Sequence, residues 1–468
     1  MLVALAAMLS GAGCVQAGEL PFPSTSAAVS ESPLPSVTDT PAAPLGSPSP
    51  SASATATPSP TPAITPVPDA VLLQNLPAAP TGTWTSLRWV ELPGAGIPPI
   101  SSAIRYMQDN ATLDGWRDGY VEFIWDPWRL TLVPWTSADG LSWKKGRTLD
   151  TSVWAADVSP GESIDVNSGP TCSFDQTMFA HGPSNLMLRG RVACEGGCGS
   201  GVYLTSEGTW VSRDGLTWTP VDVARLFGAA TVDGISGGPN GYMAVVDGSG
   251  AGKAIWTSGD GLSWQRKALP TQATAGGATI GGPAAFSGGF VAPGVVEVQN
   301  GAEVGPTQGC AITMENSTPR PALHRGALWF SPDGSTWTRG SLPGVVDATW
   351  ATMTVSRMDD HLLIATEFTP GGEKTWISSD GKSWQASAVP YDVLDGGARS
   401  LLYERPAYGS SVGAFSFYTM DGTTCCTRVA ETGTHPTTGK TLQMAIGPKG
   451  LLVTSDGDKF WMGVPSAG

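Results

Sequence analysis

One nine-residue hairpin recurs along this chain. "WTSGDGLSW" (256–264) reappears as "WTSADGLSW" (135–143), "WVSRDGLTW" (210–218), "WFSPDGSTW" (329–337) and "WISSDGKSW" (376–384), and a shortened copy, "VTSDGDKF" (453–460), precedes Trp461. Asp-Gly between apolar strands is a strong hairpin signal, because glycine accepts the positive φ that a tight turn requires. The Asp260 carboxylate is placed to accept backbone N–H groups of its own turn, and Ser258 closes the other side in the same way. Trp256 and Ser258 are two residues apart, so they share one face of the incoming strand. Such a hairpin satisfies its own polar groups but cannot make a core alone. Six in one chain imply a repeat fold whose units stack on one another. Eleven of the 18 Trp fall in these units, so tryptophan here is mainly architectural.

The six aspartates, Asp139, Asp214, Asp260, Asp333, Asp380 and Asp456, are spaced 75, 46, 73, 47 and 76 residues apart. One blade of a propeller needs about 40–50 residues. Short and long units alternate, so the spacing predicts three copies of a two-blade unit and six blades in all. A seventh blade without a hairpin near residues 84–130 is the alternative. "WTSLRW" (84–89) reads as a decayed copy and as a strand that closes the ring.

The hairpins resemble the Asp-box (BNR) repeats of sialidase-like β-propellers, whose pattern is Ser-x-Asp-x-Gly-x-x-Trp. Here Asp and Gly are adjacent, so this version is one residue shorter. The resemblance covers residues 81–468 and implies an all-β propeller. It implies structural roles for the six aspartates and for Trp143, Trp218, Trp264, Trp337 and Trp384. It also implies boxes on the turn between the third and fourth strands of each blade, away from the ligand face. No catalytic residue carries over. The family's Arg-Ile/Leu-Pro motif is absent, and Tyr403 and Glu404 are strand neighbours that face opposite ways.

The N-terminus has a different character. "MLVALAAMLSGAGC" is an apolar run ending in small residues and Cys14, too short to span a bilayer comfortably. It resembles a bacterial lipoprotein signal, which implies lipidation at Cys14 and an extracytoplasmic, envelope location. The other reading is ordinary secretion, with cleavage after Ala17. Residues 1–17 are thus read as the signal and 18–80 as a disordered Pro-rich linker. Positions 21–68 hold 13 of the 39 Pro, and no Lys or Arg precedes Arg88. Such a segment buries too little apolar surface to offset its ordering entropy.

The net charge of −14 sets the chain against nucleic-acid partners. The four His form no metal-ligand pair, and no cofactor motif is present, so neither metal nor cofactor is expected. The six cysteines beyond residue 80 are Cys172, Cys194, Cys198, Cys310, Cys425 and Cys426. An even number in an exported chain suggests up to three disulfides of open connectivity. All six fall in the long units, whose inserts are expected between the second and third strands. That puts them at the blade ends opposite the boxes, as a crown around the channel mouth.

Candidate ligand-binding residues follow from this placement: Glu315, Arg320, His324, Arg428, Glu431 and His435. Trp116, Trp125 and Trp128 form the densest aromatic run, suited to stacking on sugar rings or to packing between blades. The expected function is a monomeric module binding a glycan or protein ligand at the crown. A glycoside hydrolase using two facing carboxylates and an envelope assembly factor are the alternatives.

Overall fold

The computed structural model describes residues 68–467 apart from 82–83, 94–110, 127–128, 152–171, 196–202, 229, 249–251, 271–278, 300, 304–322, 388–391, 396, 398, 405–415, 422–423, 434–441 and 456–458. Cys14, Cys198, Cys310, Glu315, Arg320, His435 and Asp456 lie outside these residues, as do Trp128, the signal and most of the linker.

Strands pair into seven antiparallel sheets, so the propeller has seven blades and not six. Blade 1 is Ala111–Trp116, Gly119–Asp126, Thr131–Ser137 and Lys144–Lys145. Blade 2 is Cys172–His181, Leu186–Glu195, Tyr203–Ser212 and Trp218–Pro220. Blade 3 is Ala230–Gly238, Gly241–Gly248, Gly252–Ser258 and Gln265–Lys267. Blade 4 opens with Thr279–Ile280 and Ala284–Phe286, then Gly289–Gln299, Leu323–Ser331 and Thr338–Arg339. Blade 5 is Thr352–Arg357, Leu363–Thr369, Gly372–Ser378 and Gln385–Ser387. Blade 6 is Asp392–Asp395, Ser400–Glu404, Ser416–Asp421 and Thr424–Arg428. Blade 7 is Leu442–Gly447, Gly450–Ser455 and Lys459–Ala467, completed by Trp84–Glu91 from the other end of the chain.

The expectation that 84–89 closes the ring therefore holds. A further strand, Ala430–Gly433, pairs in parallel on the outer side of Trp84–Glu91. Trp89 Nε1 donates to the Glu431 carboxylate across that pairing at 2.8 Å.

There is no central core. Buried apolar residues form seven clusters, one in each seam between adjacent blades. The seam between blades 7 and 1 holds Leu113 and Tyr120 against Leu452, Phe460 and Met462. This seventh cluster closes the ring. Leu76 and Ala79, placed in the linker by composition, are buried in the seams on either side of blade 7. A Pro-rich segment that contains leucines still has apolar surface to bury, and Leu76 and Ala79 bury theirs against the propeller. The short helix Asp69–Gln74 belongs to this packing: Arg88 Nη2 reaches Asp69 at 2.6 Å.

Five boxes sit where the resemblance implies, between the third and fourth strands of blades 1 to 5. In each, the Ser hydroxyl meets the Asp carboxylate at 2.9–3.1 Å, and that carboxylate accepts two N–H groups further along the turn. Those hydrogen bonds hold Asp139, Asp214, Asp260 and Asp380 below the ordinary carboxylate range, against the opposing effect of burial. The box glycines all take φ between 69° and 77°.

The sixth copy differs. Residues 453–460 run from the second to the third strand of blade 7, so that turn lies at the opposite end of the blade from the boxes. Blade 6 has no box. The 76-residue interval from Asp380 to Asp456 therefore holds a whole boxless blade and half of the next. Its near-equality with the 75 and 73 intervals, which contain long loops, is what made six blades look regular.

The crown is corrected in the same way. In blade 4 the insert does lie between the second and third strands, around 304–322. Cys425 and Cys426, however, sit on the outermost strand of blade 6, Thr424–Arg428, and not on an insert at a channel mouth. The second-to-third-strand connections of blades 2, 4 and 6, at 196–202, 304–322 and 405–415, lie outside the described residues.

Candidate functional site

The first strand of each blade lines the axis. Three of these strands end in charged or titratable residues at the box end: His181 in blade 2, Arg357 in blade 5 and Asp395 in blade 6. Blades 2 and 5 are not neighbours, so a contact between their first strands crosses the channel. Arg357 makes that contact: its Nη2 lies 2.7 Å from His181 Nε2. Its Nε donates to Asp395 Oδ2, also at 2.7 Å. Asp360, on the turn after the blade 5 strand, adds a carboxylate 3.7 Å from Arg357 Nη1. Arg117, on the equivalent turn of blade 1, approaches Asp360 from outside at 3.3 Å. Gly397 from blade 6 ties the group together. It donates its N–H to Asp395 and accepts the N–H of Asp360.

These side chains form a floor across the box end of the channel. Arg357 is 5% exposed and Asp360 10%, so the cluster is largely dry and its charges are mutually engaged. Burial holds the His181 imidazole well below its ordinary value, and the Arg357 charge acts in the same direction. His181 is therefore neutral and accepts the Arg357 hydrogen bond. Burial pushes Asp395 up, and Arg357 pulls it back toward the ionised form.

The floor separates two hollows. On the channel side, a cavity of about 190 Å³ is lined by Phe179, Ser236, Ser356, Arg357 and Asp395, among others. On the box side, a smaller pocket of about 80 Å³ is walled by Trp116, Arg117, His181, Asn185, Arg213 and Asp360, among others. Higher in the channel, Asp114 of blade 1 accepts from Gln176 Nε2 of blade 2 at 2.6 Å, and Thr112 donates to Gln176 Oε1. Burial raises Asp114 to about 6, with the Gln176 bond opposing.

The three described candidates named from sequence, His324, Arg428 and Glu431, do not converge. His324 is on the third strand of blade 4, bridged to Ala348 through both backbone groups. Arg428 ends the outermost strand of blade 6 and is exposed. Glu431 is engaged by Trp89 at the outer edge of blade 7. Of the aromatic run, Trp125 is fully buried between blades 1 and 2, whereas Trp116 is half-buried and walls the box-side pocket.

Sequence reading missed His181, Arg357, Asp360 and Asp395. The available signal was narrow: "TMTVSR" alternates as an axis-lining strand should, and its buried phase, Met353 and Val355, ends in an arginine.

No protein-family model and no curated protein matches the chain. Among solved structures it is similar to the β-propeller domain of the Trilobed protease from Pyrococcus furiosus, at 10% identity and a TM-score of 0.34, over 75% of this chain and 97% of that one. It is also similar to the WD40 domain of Toxoplasma gondii coronin, at 10% identity and a TM-score of 0.35, over 84% and 90%. For Trypanosoma rangeli sialidase in complex with sialic acid the values are 12% and 0.32, over 62% and 54%.

Proposed function

We propose that the chain is an exported, lipid-anchored binding module whose ligand enters the central channel and rests on the Arg357 floor. One observation carries this reading: the charged groups of the floor hold one another across the channel, with Arg357 Nη1 left without a hydrogen bond. Arg357 is held by His181, Asp395 and Asp360 together. A prepaid, rigid polar floor under a small cavity suits recognition by shape and hydrogen bonds. Ser236 and Ser356 supply hydroxyls and Phe179 an apolar wall.

Export draws support from the cysteines. Cys172 and Cys194 are direct register partners across the first two strands of blade 2, and Cys426 is disulfide-bonded. Disulfides persist in oxidising compartments. Lipidation at Cys14 and the stalk-like linker complete the reading.

A glycoside hydrolase is the second reading, and Asp114 favours it. A channel-wall carboxyl raised to about 6 has the character of a general acid. It would need an ionised carboxylate across the substrate. The test is retention of envelope glycans and peptides on the purified full-length chain, with product release scored in the same samples. Retention without product, lost on blocking the channel with Ser356→Trp, supports the module. Product formation abolished by Asp114→Asn supports the hydrolase and overturns it.

A further inference from the structure

The first tryptophan of each box has a partner on the second strand of its own blade, and the register makes these partners equivalent. Trp210 faces Leu188, Trp256 faces Ala244, Trp329 faces Ala292 and Trp376 faces Ala365. In blade 1 the partner of Trp135 is Glu122. The slot points toward the preceding blade: Leu188, Ala292 and Ala365 each belong to the cluster in that seam. Glu122 therefore points into the seam between blades 1 and 7, the place where the ring closes. Its strand partner Leu113 and its neighbour Tyr120 belong to that same cluster.

Glu122 is 0% exposed, and neither carboxylate oxygen has a hydrogen-bond partner. Across the seam, Thr454 shares a face with Phe460, and its buried hydroxyl also has no partner. An ionised carboxylate left dry and unpaired is far costlier than a neutral acid. The titratable groups around the seam do not relieve it. Tyr120 donates to the Gly450 carbonyl, and Lys449 Nζ donates to Leu76 O. Asp139 is held in its box turn, and Arg399 Nε donates to Ala79 O. The surrounding side chains Leu113, Leu452, Phe460 and Met462 carry no charge. Burial alone raises the Glu122 carboxyl, to about 8.

We propose that Glu122 is a proton-dependent lock on the ring: protonated, it lets blades 7 and 1 stay closed, and release of its proton to solvent loosens that one seam. The four equivalent seams carry Leu or Ala in the same slot, and the other carboxyl buried in one of them, Glu367 between blades 4 and 5, accepts the Gly326 N–H at 2.9 Å whereas Glu122 accepts nothing. The chain thereby places an unpaired buried acid where its two ends meet. Because one proton leaves on opening, the opening equilibrium of the seam changes by up to about tenfold per pH unit while Glu122 is protonated only in the closed form.

The test is hydrogen–deuterium exchange on the full-length chain between pH 5.5 and 9, corrected for intrinsic exchange. Segments Gly119–Asp126 and Gly450–Ser455 report the seam, and Gly241–Gly248, the equivalent strand of blade 3, serves as the control. The expected result is seam exchange that steepens with pH in the wild type while the control stays level. Glu122→Gln and Glu122→Ala should both flatten the seam's response, the second restoring the residue that blades 3 to 5 use. A seam with no pH response, one matched by the control strand, or one that persists in both variants would overturn the proposal.

Discussion

Arg357 and His181 meet across the channel axis, with Arg357 Nη2 donating to the neutral imidazole at 2.7 Å. They stand on the first strands of blades 5 and 2, which share no seam. The contact makes the floor a cross-brace as well as the base of a binding site.

Removing the brace leaves charge behind. Arg357→Met should strand Asp395 without its cation, while Asp360 keeps Arg117, and breaking such a buried pair costs about 3–5 kcal/mol. Urea denaturation of the full chain checks this. Asp395→Asn combined with Arg357→Met should recover part of the loss, since the uncompensated carboxylate is then gone.

His181 also sets a pH dependence. Its folded value is depressed, so the unfolded chain binds the extra proton first as pH falls below about 6.5. The stability from a neutral His181 is therefore complete above that pH and is lost progressively below it. The melting temperature of wild type minus that of His181→Gln, followed from pH 7.5 to 4.5, should fall. A constant difference would mean that the imidazole charges freely in the folded state.

The box turns predict a contrast between adjacent glycines. Gly261 has φ +74°, and a Cβ there would lie 2.8 Å from Met187 of the preceding blade. Gly259 has open space around it. Gly261→Ala should cost roughly 1–3 kcal/mol, and Gly259→Ala should stay within about 0.5 kcal/mol. Thermal melts of the two variants decide it.

Cysteine pairing gives a covalent check. The backbone register sets Cys172 opposite Cys194, and antiparallel partners lie at Cα separations of about 4.5–5.5 Å, inside the range a disulfide spans. Non-reducing peptide mapping should recover these two residues in one linked pair. Recovery of Cys172 linked to Cys425 instead would show that strands of distant blades are cross-linked.

The architecture was readable because its signal is local. Ser258, Asp260, Gly261 and Trp264 satisfy one another within seven residues, so five boxes announce themselves without any knowledge of the ring. Blade 6 was invisible for the same reason: its third turn, near Asp421, has no serine or tryptophan to mark it. The floor was harder still. His181 and Arg357 are 176 residues apart, and what joins them is the curvature of the whole ring. Glu122 was hidden differently. It stands inside a strand, "GYVEFIWD", that reads as apolar but for Glu122 and the terminal Asp126, and only register against Trp135 shows which seam receives it.

The strand Trp84–Glu91 joins the ring's last blade to the chain that precedes it. Any load arriving along a tether would first meet Leu76 and Ala79 in their seams, and then a ladder of seven paired residues from Trp84–Ala467 to Glu91–Trp461. A pull along that strand is borne by the rungs together, in shear, rather than peeled off one rung at a time. The clasp that closes the circle is thus also its mechanical fuse.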